Sequence, residues 1–430
     1  MYKVLLTVLV SSVMSLASPV LLAAEKSAAA EKNELVKKNL PLAELRRFGE
    51  VFDRIKKAYV EPVTDSKLIE DAIAGMLSGL DPHSSYLAPN EYSELQIQTS
   101  GQFGGVGIEI SQEDGVIRVI TPIDDTPAER AGIKPGDLII KIDGEIIQSI
   151  GVEKAIALMR GEVDSEIVLT VVRDSEKSAF DISLKRALIN VTSVRSRFLE
   201  EGIAYVRISQ FQHYTARDLN KKLRAMNQET PLTGVVLDLR NNPGGVLRGA
   251  VDVSDAFVSE GVIVSTKGRL ASSQMSFNAT QEMSVGDIPV VVLINGGSAS
   301  ASEIVAGALQ DKSRAIIMGT NSFGKGSVQT VLQLTGDRAI KLTTAKYFTP
   351  SGRSIQAQGI VPDIFVEQAD VQEKASSRAI KEKDLAGHLS NGEETVKEPL
   401  KSDLINTDFQ LHEAVSLIKG LVIVRQFNKK

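Results

Sequence analysis

The most constraining feature of this sequence is the stretch 290–329, VVVLINGGSASASEIVAGALQDKSRAIIMGTNSFGKGSVQ. Its first residues, Val290 to Ile294, form a short apolar run rich in β-branched side chains, which predicts a buried strand ending in a glycine turn. A helical pattern begins at Glu303. A strand, a tight turn and a helix in this order can present a hydroxyl at a helix N-terminus, where unpaired N–H groups stabilise negative charge. The stretch therefore predicts an α/β unit suited to nucleophilic attack by a serine.

Three serines in this turn compete for that role: Ser298, Ser300 and Ser302. Ser300 is followed three residues later by Glu303, a spacing that also defines a helix capping box, in which the serine only satisfies a backbone N–H group. Further on, Lys325 stands between two glycines. The turn alone leaves both interpretations, a capping serine and a nucleophile, open.

The composition restricts the chemistry. The chain has 430 residues, 43% of them hydrophobic, which predicts two to three domains with substantial cores. It contains no cysteine, which excludes disulfides, thiol catalysis, cysteine metal sites and a cysteine-linked lipid anchor. Nothing in the net charge of −5 suggests a nucleic-acid partner.

Residues 1–24 are typical of a secretory signal peptide, with a basic start at Lys3, a short apolar centre and small residues before Glu25. The alternative is a membrane anchor, but the apolar run is interrupted by serines and is shorter than the roughly 20 residues that span a bilayer. We therefore expect a periplasmic or extracellular protein, with association to the membrane left open.

The rest of the chain divides into five segments. We expect an N-terminal helical region (25–100), a β-rich domain (101–187), a domain of alternating strands and helices (188–366), a charged linker (367–408) and a C-terminal helix (409–430). The apolar stripe of the last helix needs a partner. The N-terminal helices or a second copy of the chain are the candidates, and the second would make a homo-oligomer through the terminal helices.

Residues 101–187 contain glycine turns in a characteristic order: Gly105-Val106-Gly107-Ile108 before a strand, then Ala-Gly-Ile, Gly-Asp and Asp-Gly further on. This order resembles a PDZ domain. The resemblance implies that the backbone N–H groups of the first turn bind a peptide's terminal carboxylate while the peptide adds a strand to the sheet. Arg160 either complements a helix C-terminus or reaches toward that carboxylate or the catalytic domain.

Four further blocks follow in order: RNNPGG (240–245), SASASEI (298–304), FGKGSVQ (323–329) and YFTPSGRSIQ (347–356). Together with LDPHSSYL (80–87), they resemble the carboxyl-terminal processing protease family, serine peptidases with a Ser/Lys dyad and an inserted PDZ domain. The resemblance covers about residues 42–366. It implies a catalytic core of the crotonase and Clp-protease type, whereas the residue pattern alone indicates only an α/β fold.

The resemblance also implies roles for single residues. Matching the family's spacing makes Ser300 the nucleophile and Lys325 the general base, with Ser302 as the second candidate nucleophile. Gln329 would orient the lysine amine by a hydrogen bond, although it could also be an ordinary polar strand residue. The implied oxyanion site consists of the Gly244, Gly245 and Ala301 region.

A lysine can act as a base near neutral pH only if its pKa is lowered, because a free ammonium group has a pKa near 10.4. Burial in a site with few carboxylates would lower it. We therefore expect Lys325 to be partly buried, and the two flanking glycines to let its backbone approach the serine.

Two other classes of site fit the sequence poorly. Gly319 to Lys325 is nearly a phosphate-binding P-loop, but Gly326 replaces the hydroxyl residue that would bind Mg²⁺. The four histidines, at 83, 213, 388 and 412, match no catalytic or metal-binding spacing, and surface or packing roles are expected for them. We expect no metal and no cofactor.

The expected function is that of an exported serine endopeptidase that binds substrate C-termini through its PDZ domain and cleaves through an acyl-enzyme. Protein or peptide substrates with accessible C-termini are the expected partners, and an activating adaptor protein is a further candidate. The alternative is an exported PDZ scaffold or chaperone without proteolytic activity.

Overall fold

The computed structural model describes residues 41–113, 115–280, 283–369 and 407–427. The signal peptide expected at 1–24, the segment 25–40 and most of the charged linker lie outside these residues. The chain forms two compact units that divide between Gly79 and Leu80. Among the described helices, none is long and apolar enough to cross a bilayer.

The first unit contains two helices, α1 (Leu42–Ala58) and α2 (Asp65–Ser78). The first was predicted from its apolar periodicity, and the second, at 66–80, from Asp65 before its start and Gly79 near its end. Thr64 caps α2, because its hydroxyl accepts a hydrogen bond from the Lys67 N–H at 3.3 Å. None of the α1 side chains is buried.

The second unit begins with β1 (Ser85–Leu87), α3 (Pro89–Ser100) and β2 (Gln102–Gly105). Helix α3 lies within the expected N-terminal helical region (25–100), but it was not predicted as a separate helix because it has no strong apolar stripe. Its ends are nevertheless defined by local chemistry: Pro89 starts the first turn, and Gly101 ends the helix with a φ of 71°.

The expected β-rich domain is present between β2 and the β9 strand that pairs with it. Its elements are β3 (Ile108–Glu113), β4 (Val116–Pro122), α4 (Pro127–Arg130), β5 (Leu138–Ile142), β6 (Glu145–Ile146), α5 (Ile147–Ile150), α6 (Val152–Met159), β7 (Glu166–Val172), β8 (Phe180–Lys185) and β9 (Ala187–Asn190). The antiparallel sheet has the order β3-β4-β5-β7-β8, with β6 paired to β5. Ile117, Ile139 and Leu169 are fully buried at its centre. Because β3 stands first in the strand order, it forms an edge of the sheet.

The catalytic-core segment supplies the remaining elements: β10 (Val194–Glu200), β11 (Ile203–Ile208), α7 (Thr215–Glu229), β12 (Gly234–Asp238), α8 (Leu247–Asp255), β13 (Val262–Gly268), β14 (Met275–Asn278), β15 (Val290–Ile294), α9 (Ala301–Asp311), β16 (Ile316–Gly319), β17 (Ser327–Gln333), β18 (Ala339–Phe348), β19 (Ile364–Phe365) and α10 (Phe409–Phe427). Strands β10, β14 and β17 were not predicted. The expected α/β architecture is confirmed.

Two sheets divide these strands. The first has the order β10-β11-β12-β15-β16-β19 and is parallel except for the β10–β11 pair. Its central strands β12 and β15 are buried along their whole length, as expected for a parallel sheet covered on both faces. The second sheet is antiparallel, with the order β1-β18-β13-β14 and β17 paired to β18.

Helix α10 covers one face of the parallel sheet. Its buried residues include Leu411, Val415 and Ile418, which form one apolar cluster with Val236 and Val291. The expectation that this face packs against the N-terminal helices or a second copy was wrong, whereas the homo-oligomer through the terminal helices stays a prediction. The sheet face of its own unit offers the apolar surface that this helix covers.

Candidate active site

Strand β15 and helix α9 place Ser300 at a sharp turn between them. Ser300 has a φ of 55° and a ψ of −110°, a conformation that residues with side chains rarely adopt and that costs of order 1–3 kcal/mol. Its hydroxyl makes no capping hydrogen bond to α9. The Ser300 backbone therefore differs from that of an ordinary capping serine, because capping residues normally have extended backbone.

The two competing serines have structural roles. The Ser298 hydroxyl donates to the Leu239 carbonyl at 2.8 Å, and the Ser302 hydroxyl donates to the Asn242 carbonyl at 2.9 Å. Both side chains are fully buried. Of the three serines, only Ser300 lines a cavity of about 430 Å³ beside α9.

Lys325, Gln329 and Lys341 line the same cavity. The Lys325 Nζ donates to Gln329 Oε1 at 2.5 Å, which is the contact expected for an orienting glutamine. Among the described residues, no hydrogen bond joins Lys325 to Ser300. Burial lowers the pKa of Lys325, the positive charge of Lys341 lowers it further, and the Glu303 carboxylate opposes the shift.

A buried carboxylate that sequence reasoning treated only as a cap connects the two sides of the site. Glu303 is fully buried and accepts four hydrogen bonds: from the backbone N–H groups of Ser300 (2.7 Å), Gly324 (2.7 Å) and Lys325 (2.9 Å), and from the Ser322 hydroxyl (2.6 Å). A single side chain thus fixes the backbone of both candidate catalytic residues. The sequence signal was present, since Glu303 is the only charged residue in an otherwise small and apolar helix start.

The fourth sequence block also holds the Lys325 loop. The Tyr347 hydroxyl donates to the Lys325 carbonyl oxygen, and Gln356 Oε1 accepts from the Gly326 N–H at 2.9 Å. Burial, together with the nearby Glu303, raises the pKa of Tyr347 well above its ordinary value, so the phenol stays protonated and remains a donor. A side chain at Gly326 would meet the Gln356 backbone nitrogen at 2.6 Å, which explains the glycine.

The expected oxyanion region lies beside Ser300, but its glycines differ. The Gly244 N–H already donates to Asn242 Oδ1 at 2.9 Å, so it is not free to bind an oxyanion in this conformation. Gly244 instead permits a close approach, because a Cβ there would lie 2.9 Å from the Ser300 Cβ. Gly245 and Ala301 both line the cavity, and their N–H groups donate to no other described residue.

Asn242 joins the turn of the oxyanion region to the turn that carries Ser300. Its carbonyl accepts from the Ala299 N–H at 3.0 Å and from the Ser302 hydroxyl, while its side chain donates to the Ile208 carbonyl at 2.8 Å. Asn242 is fully buried. Its position explains why an asparagine with both donor and acceptor groups stands in the RNNPGG block.

The same block begins with a buried ion pair. Arg240 donates to both Asp238 oxygens, at 3.0 and 2.7 Å, and to both oxygens of Asp408, at 3.0 and 2.7 Å. Burial alone would raise the pKa of Asp238, but its hydrogen bonds and charge interaction with Arg240 lower it. Burial and Asp238 raise the pKa of Tyr205 to about 12. No local sequence pattern predicts the Asp408 contact, which depends on where α10 packs.

In the β-rich domain, the turn Gly105-Val106-Gly107-Ile108 connects β2 to the edge strand β3. The N–H groups of Val106 and Gly107 donate to no other described residue. Gly107 has a φ of 82°. This is the arrangement that a carboxylate-binding turn beside an open sheet edge requires.

Arg160 follows α6 and contacts helix α3. It forms an ion pair with Glu94 and lies over the Phe103 ring, with 5.2 Å between the guanidinium carbon and the ring centroid. Leu95 and Thr99 of α3 line the cavity that contains Ser300. Arg160 therefore contacts an element of the candidate active site rather than only a helix terminus.

Neither the histidines that the structure describes nor the loop before Lys325 forms the other classes of site that the sequence suggested. His213 lies at the edge of the cavity, and His83 lies near Lys325, whose charge, after burial, lowers the pKa of His83. His412 is exposed on α10, and His388 lies outside the described residues. Lys325 is followed by strand β17 rather than by a helix, which excludes a P-loop. Among the described residues, no cluster of three metal-binding side chains is found.

The chain is similar to known proteins over most of its length. Residues 202–366 match the model of peptidase family S41, residues 104–184 match that of the PDZ domain, and residues 10–90 match that of the activating protease CtpB N-terminal domain. A carboxy-terminal-processing protease of Bartonella bacilliformis is 46% identical over 385 residues, covering 88% of each chain. The carboxy-terminal processing protease CtpB of Bacillus subtilis is 34% identical over 87% of this chain and 75% of its own. A solved photosystem II D1 C-terminal processing protease covers 74% of this chain and 92% of its own, with 29% identity and a TM-score of 0.45.

Proposed function

This chain belongs to the carboxy-terminal processing proteases of peptidase family S41, and from that premise we propose that it is a serine endopeptidase in which Ser300 is the nucleophile and Lys325 the general base. One observation carries the assignment. Ser300 and Lys325 line the same cavity, whereas the hydroxyls of Ser298 and Ser302 are committed to buried hydrogen bonds.

The chemistry follows from these positions. The uncharged Lys325 amine takes the Ser300 proton as the serine oxygen attacks the peptide carbonyl, and the N–H groups of Gly245 and Ala301 stabilise the oxyanion. The Lys325 ammonium then gives its proton to the leaving amine nitrogen, which breaks the peptide bond and leaves an ester on Ser300. A water molecule, deprotonated by the same amine, hydrolyses the ester and releases the new carboxyl terminus. Lys325 is not hydrogen-bonded to Ser300 among the described residues, so for the first step its lone pair approaches the Ser300 hydroxyl while one of its N–H groups still donates to Gln329.

The PDZ domain supplies the substrate specificity in this proposal. A peptide adds to the open edge of β3, and its terminal carboxylate accepts hydrogen bonds from the Val106 and Gly107 N–H groups at the Gly105–Ile108 turn. Arg160 transmits this binding to helix α3 through Glu94. We expect Arg160→Ala to reduce cleavage of peptides with a free C-terminus more than cleavage of the same peptides with an amidated C-terminus. Equal activity of the variant and the wild type on both would remove Arg160 from the coupling.

Export to the periplasm or cell exterior is part of the same proposal. It is supported by the composition of residues 1–24 and by the absence of cysteine from the chain. Fractionation of cells that produce the full chain tests it.

Ser300→Ala tests the central assignment. With an unfolded protein substrate, the wild type should generate fragments and the Ser300→Ala variant should not, while both bind a peptide with a free C-terminus with the same Kd. A scaffold or chaperone without proteolytic activity would give no fragments with either protein. Fragments from the variant would instead show that another residue is the nucleophile.

A further inference from the structure

To act as a base, a lysine amine must direct its lone pair at the serine hydroxyl. The position of the Lys325 amine is set by its hydrogen bond to Gln329. Gln329 Oε1 accepts from Lys325 Nζ at 2.5 Å. The oxygen and the NH₂ group of a side-chain amide are similar in size, so the amide could also bind in the flipped orientation. The NH₂ group would then face the lysine amine. Two donors would then face each other. The Lys325 amine can therefore keep this hydrogen bond only if the oxygen of the Gln329 amide faces it.

The other end of the Gln329 amide contacts two hydroxyls. Its Nε2 donates to Ser327 Oγ at 3.0 Å and to Thr343 Oγ1 at 3.3 Å. Thr343 stands directly opposite Gln329 in the β17–β18 pair, next to a break in the register that follows Val328. A hydroxyl can donate as well as accept, so Thr343 by itself would not exclude the reversed amide.

The Thr343 hydroxyl donates its proton in a hydrogen bond to Asp81. Thr343 Oγ1 donates to Asp81 Oδ1 at 3.0 Å, and an ionised carboxylate can only accept. With its proton directed at Asp81, Thr343 presents only lone pairs to Gln329. The amide nitrogen must then face Thr343, and the amide oxygen must face Lys325.

Asp81 is held ionised by its surroundings. It accepts from the N–H groups of His83 (2.8 Å) and Ser84 (3.0 Å) and from the Ser84 hydroxyl (2.7 Å). Burial raises the pKa of Asp81, but the hydrogen bonds from Ser84, His83 and Thr343 lower it below its ordinary value. The Ser84 oxygen in turn accepts from the Thr343 N–H at 3.1 Å, which fixes the 81–84 turn against β18.

We propose that Asp81 and Thr343 are positioning residues, which orient the Gln329 amide and through it direct the Lys325 amine toward Ser300. The inference rests on the proposed Ser300 and Lys325 chemistry and adds to it a role for the LDPHSSYL block. The order of donors runs one way, from Lys325 to Gln329, then to Thr343 and finally to Asp81.

Thr343→Val tests the proposal, because valine keeps the branched shape and removes the hydroxyl. We expect kcat to fall on the order of tenfold or more, as is typical when an orienting partner of an active-site group is lost, with KM within about twofold of the wild type. The rate at which a fluorophosphonate reagent modifies Ser300 should fall in parallel, since it reports activation of the serine independently of peptide binding. Thr343→Ser, which restores the hydroxyl, should recover most of both rates.

The matched control is Thr330→Val. Thr330 follows Gln329 on the same strand, and its hydroxyl pairs with that of Thr344 at 2.7 Å in an exposed position. This variant should keep wild-type kcat and labelling rate. Circular dichroism and urea unfolding establish that each variant is folded, and Thr343→Ala replaces the valine variant if the latter is not.

The outcomes separate the two proposals. If Ser300→Ala and Lys325→Met are inactive but Thr343→Val matches Thr330→Val in kcat and labelling, the positioning role is wrong and the dyad stands. The positioning role is also wrong if Thr343→Val changes KM alone. It is likewise wrong if Thr343→Ser is as slow as Thr343→Val. If Ser300→Ala still cleaves, the proposed function itself is wrong.

Discussion

The two sides of the candidate active site are held by different physical means. Ser300 follows a strand of the parallel sheet that is buried along its whole length, and its position is fixed by backbone conformation and by the packing of Gly244 against it. Lys325 precedes β17, a strand that becomes exposed within a few residues, and its amine is held by a side-chain hydrogen bond to Gln329.

This difference has a consequence for substitutions. Buried backbone geometry is expensive to change, so substitutions on the serine side, other than those of Ser300 itself, should appear mainly as lost stability. Alterations on the lysine side leave the packed core intact and should appear mainly in the reaction rate and its pH dependence. Glu303, which contacts both sides, should affect both.

The largest effect is expected for Lys325→Met. It should lower the hydrolysis rate on the order of 10⁴-fold or more, because the general base is lost while the chain keeps an apolar stem of similar length. Steady-state cleavage of a fluorogenic peptide measures this. A loss below tenfold would mean that another group accepts the serine proton.

The same variant also tests the burial of the amine through stability. The pKa of Lys325 is lower in the folded than in the unfolded chain, so between these two values the unfolded chain binds more protons, and the free energy of unfolding must rise with pH. Urea unfolding at several pH values below 10.5 should show this slope in the wild type and a smaller one in Lys325→Met. Identical slopes would place the amine in water.

A large loss of stability is expected for Glu303→Ala. Four donors lose their acceptor inside the protein, and at about 1–3 kcal/mol for each unsatisfied group the free energy of unfolding should fall by roughly 4 kcal/mol or more. Glu303→Gln is the matched control for side-chain volume; its NH₂ group faces N–H donors, so it should recover only part of the loss. A loss below about 1 kcal/mol in Glu303→Ala would show that water or a rearrangement replaces the carboxylate.

A smaller effect, confined to pH dependence, is expected for Lys341→Gln. The Lys341 charge lowers the pKa of Lys325, so its removal should shift the acid limb of the kcat/KM profile to higher pH and reduce activity on that limb. Lys346→Gln removes a charge from the same strand at an exposed position and should leave the profile unchanged. Profiles that coincide for the two variants contradict the coupling.

The smallest effect on catalysis is expected for Ser302→Ala. It removes one buried hydrogen bond to Asn242, which should cost about 1 kcal/mol of stability and leave kcat within a few-fold of the wild type. Abolished cleavage with normal stability would make Ser302, and not Ser300, the nucleophile.

Sequence reasoning reached the strand–turn–helix unit and the Lys325–Gln329 pair because both are local patterns. It placed β15 at Val290–Ile294, as the structure has it, since a buried parallel strand reads as a continuous apolar run. It missed β17, whose exposed half has no clear alternation, and α3, which has no apolar stripe. Those two elements carry Gln329 and the cavity wall.

Local sequence patterns do not predict contacts between residues that are far apart in the chain. Thr343 and Asp81 are joined across 262 positions, and Arg240 and Asp408 across 168. Their side chains are ordinary polar residues for local reasoning, and only the pairing of β1 with β18 and the packing of α10 bring them together. The packing of α10 was predicted wrongly for the same reason, because the apolar stripe of the helix does not say which distant surface it covers.

The packing of α10 also orders events in time. A ribosome makes the six strands of the parallel sheet before it reaches residue 409, so Val236, Val291 and Leu293 have no covering helix while the nascent chain is still growing. The Arg240 guanidinium, likewise, meets Asp408 only after the strands are complete. Docking of the last helix therefore completes both the apolar cluster on this sheet face and the ion pair of Arg240.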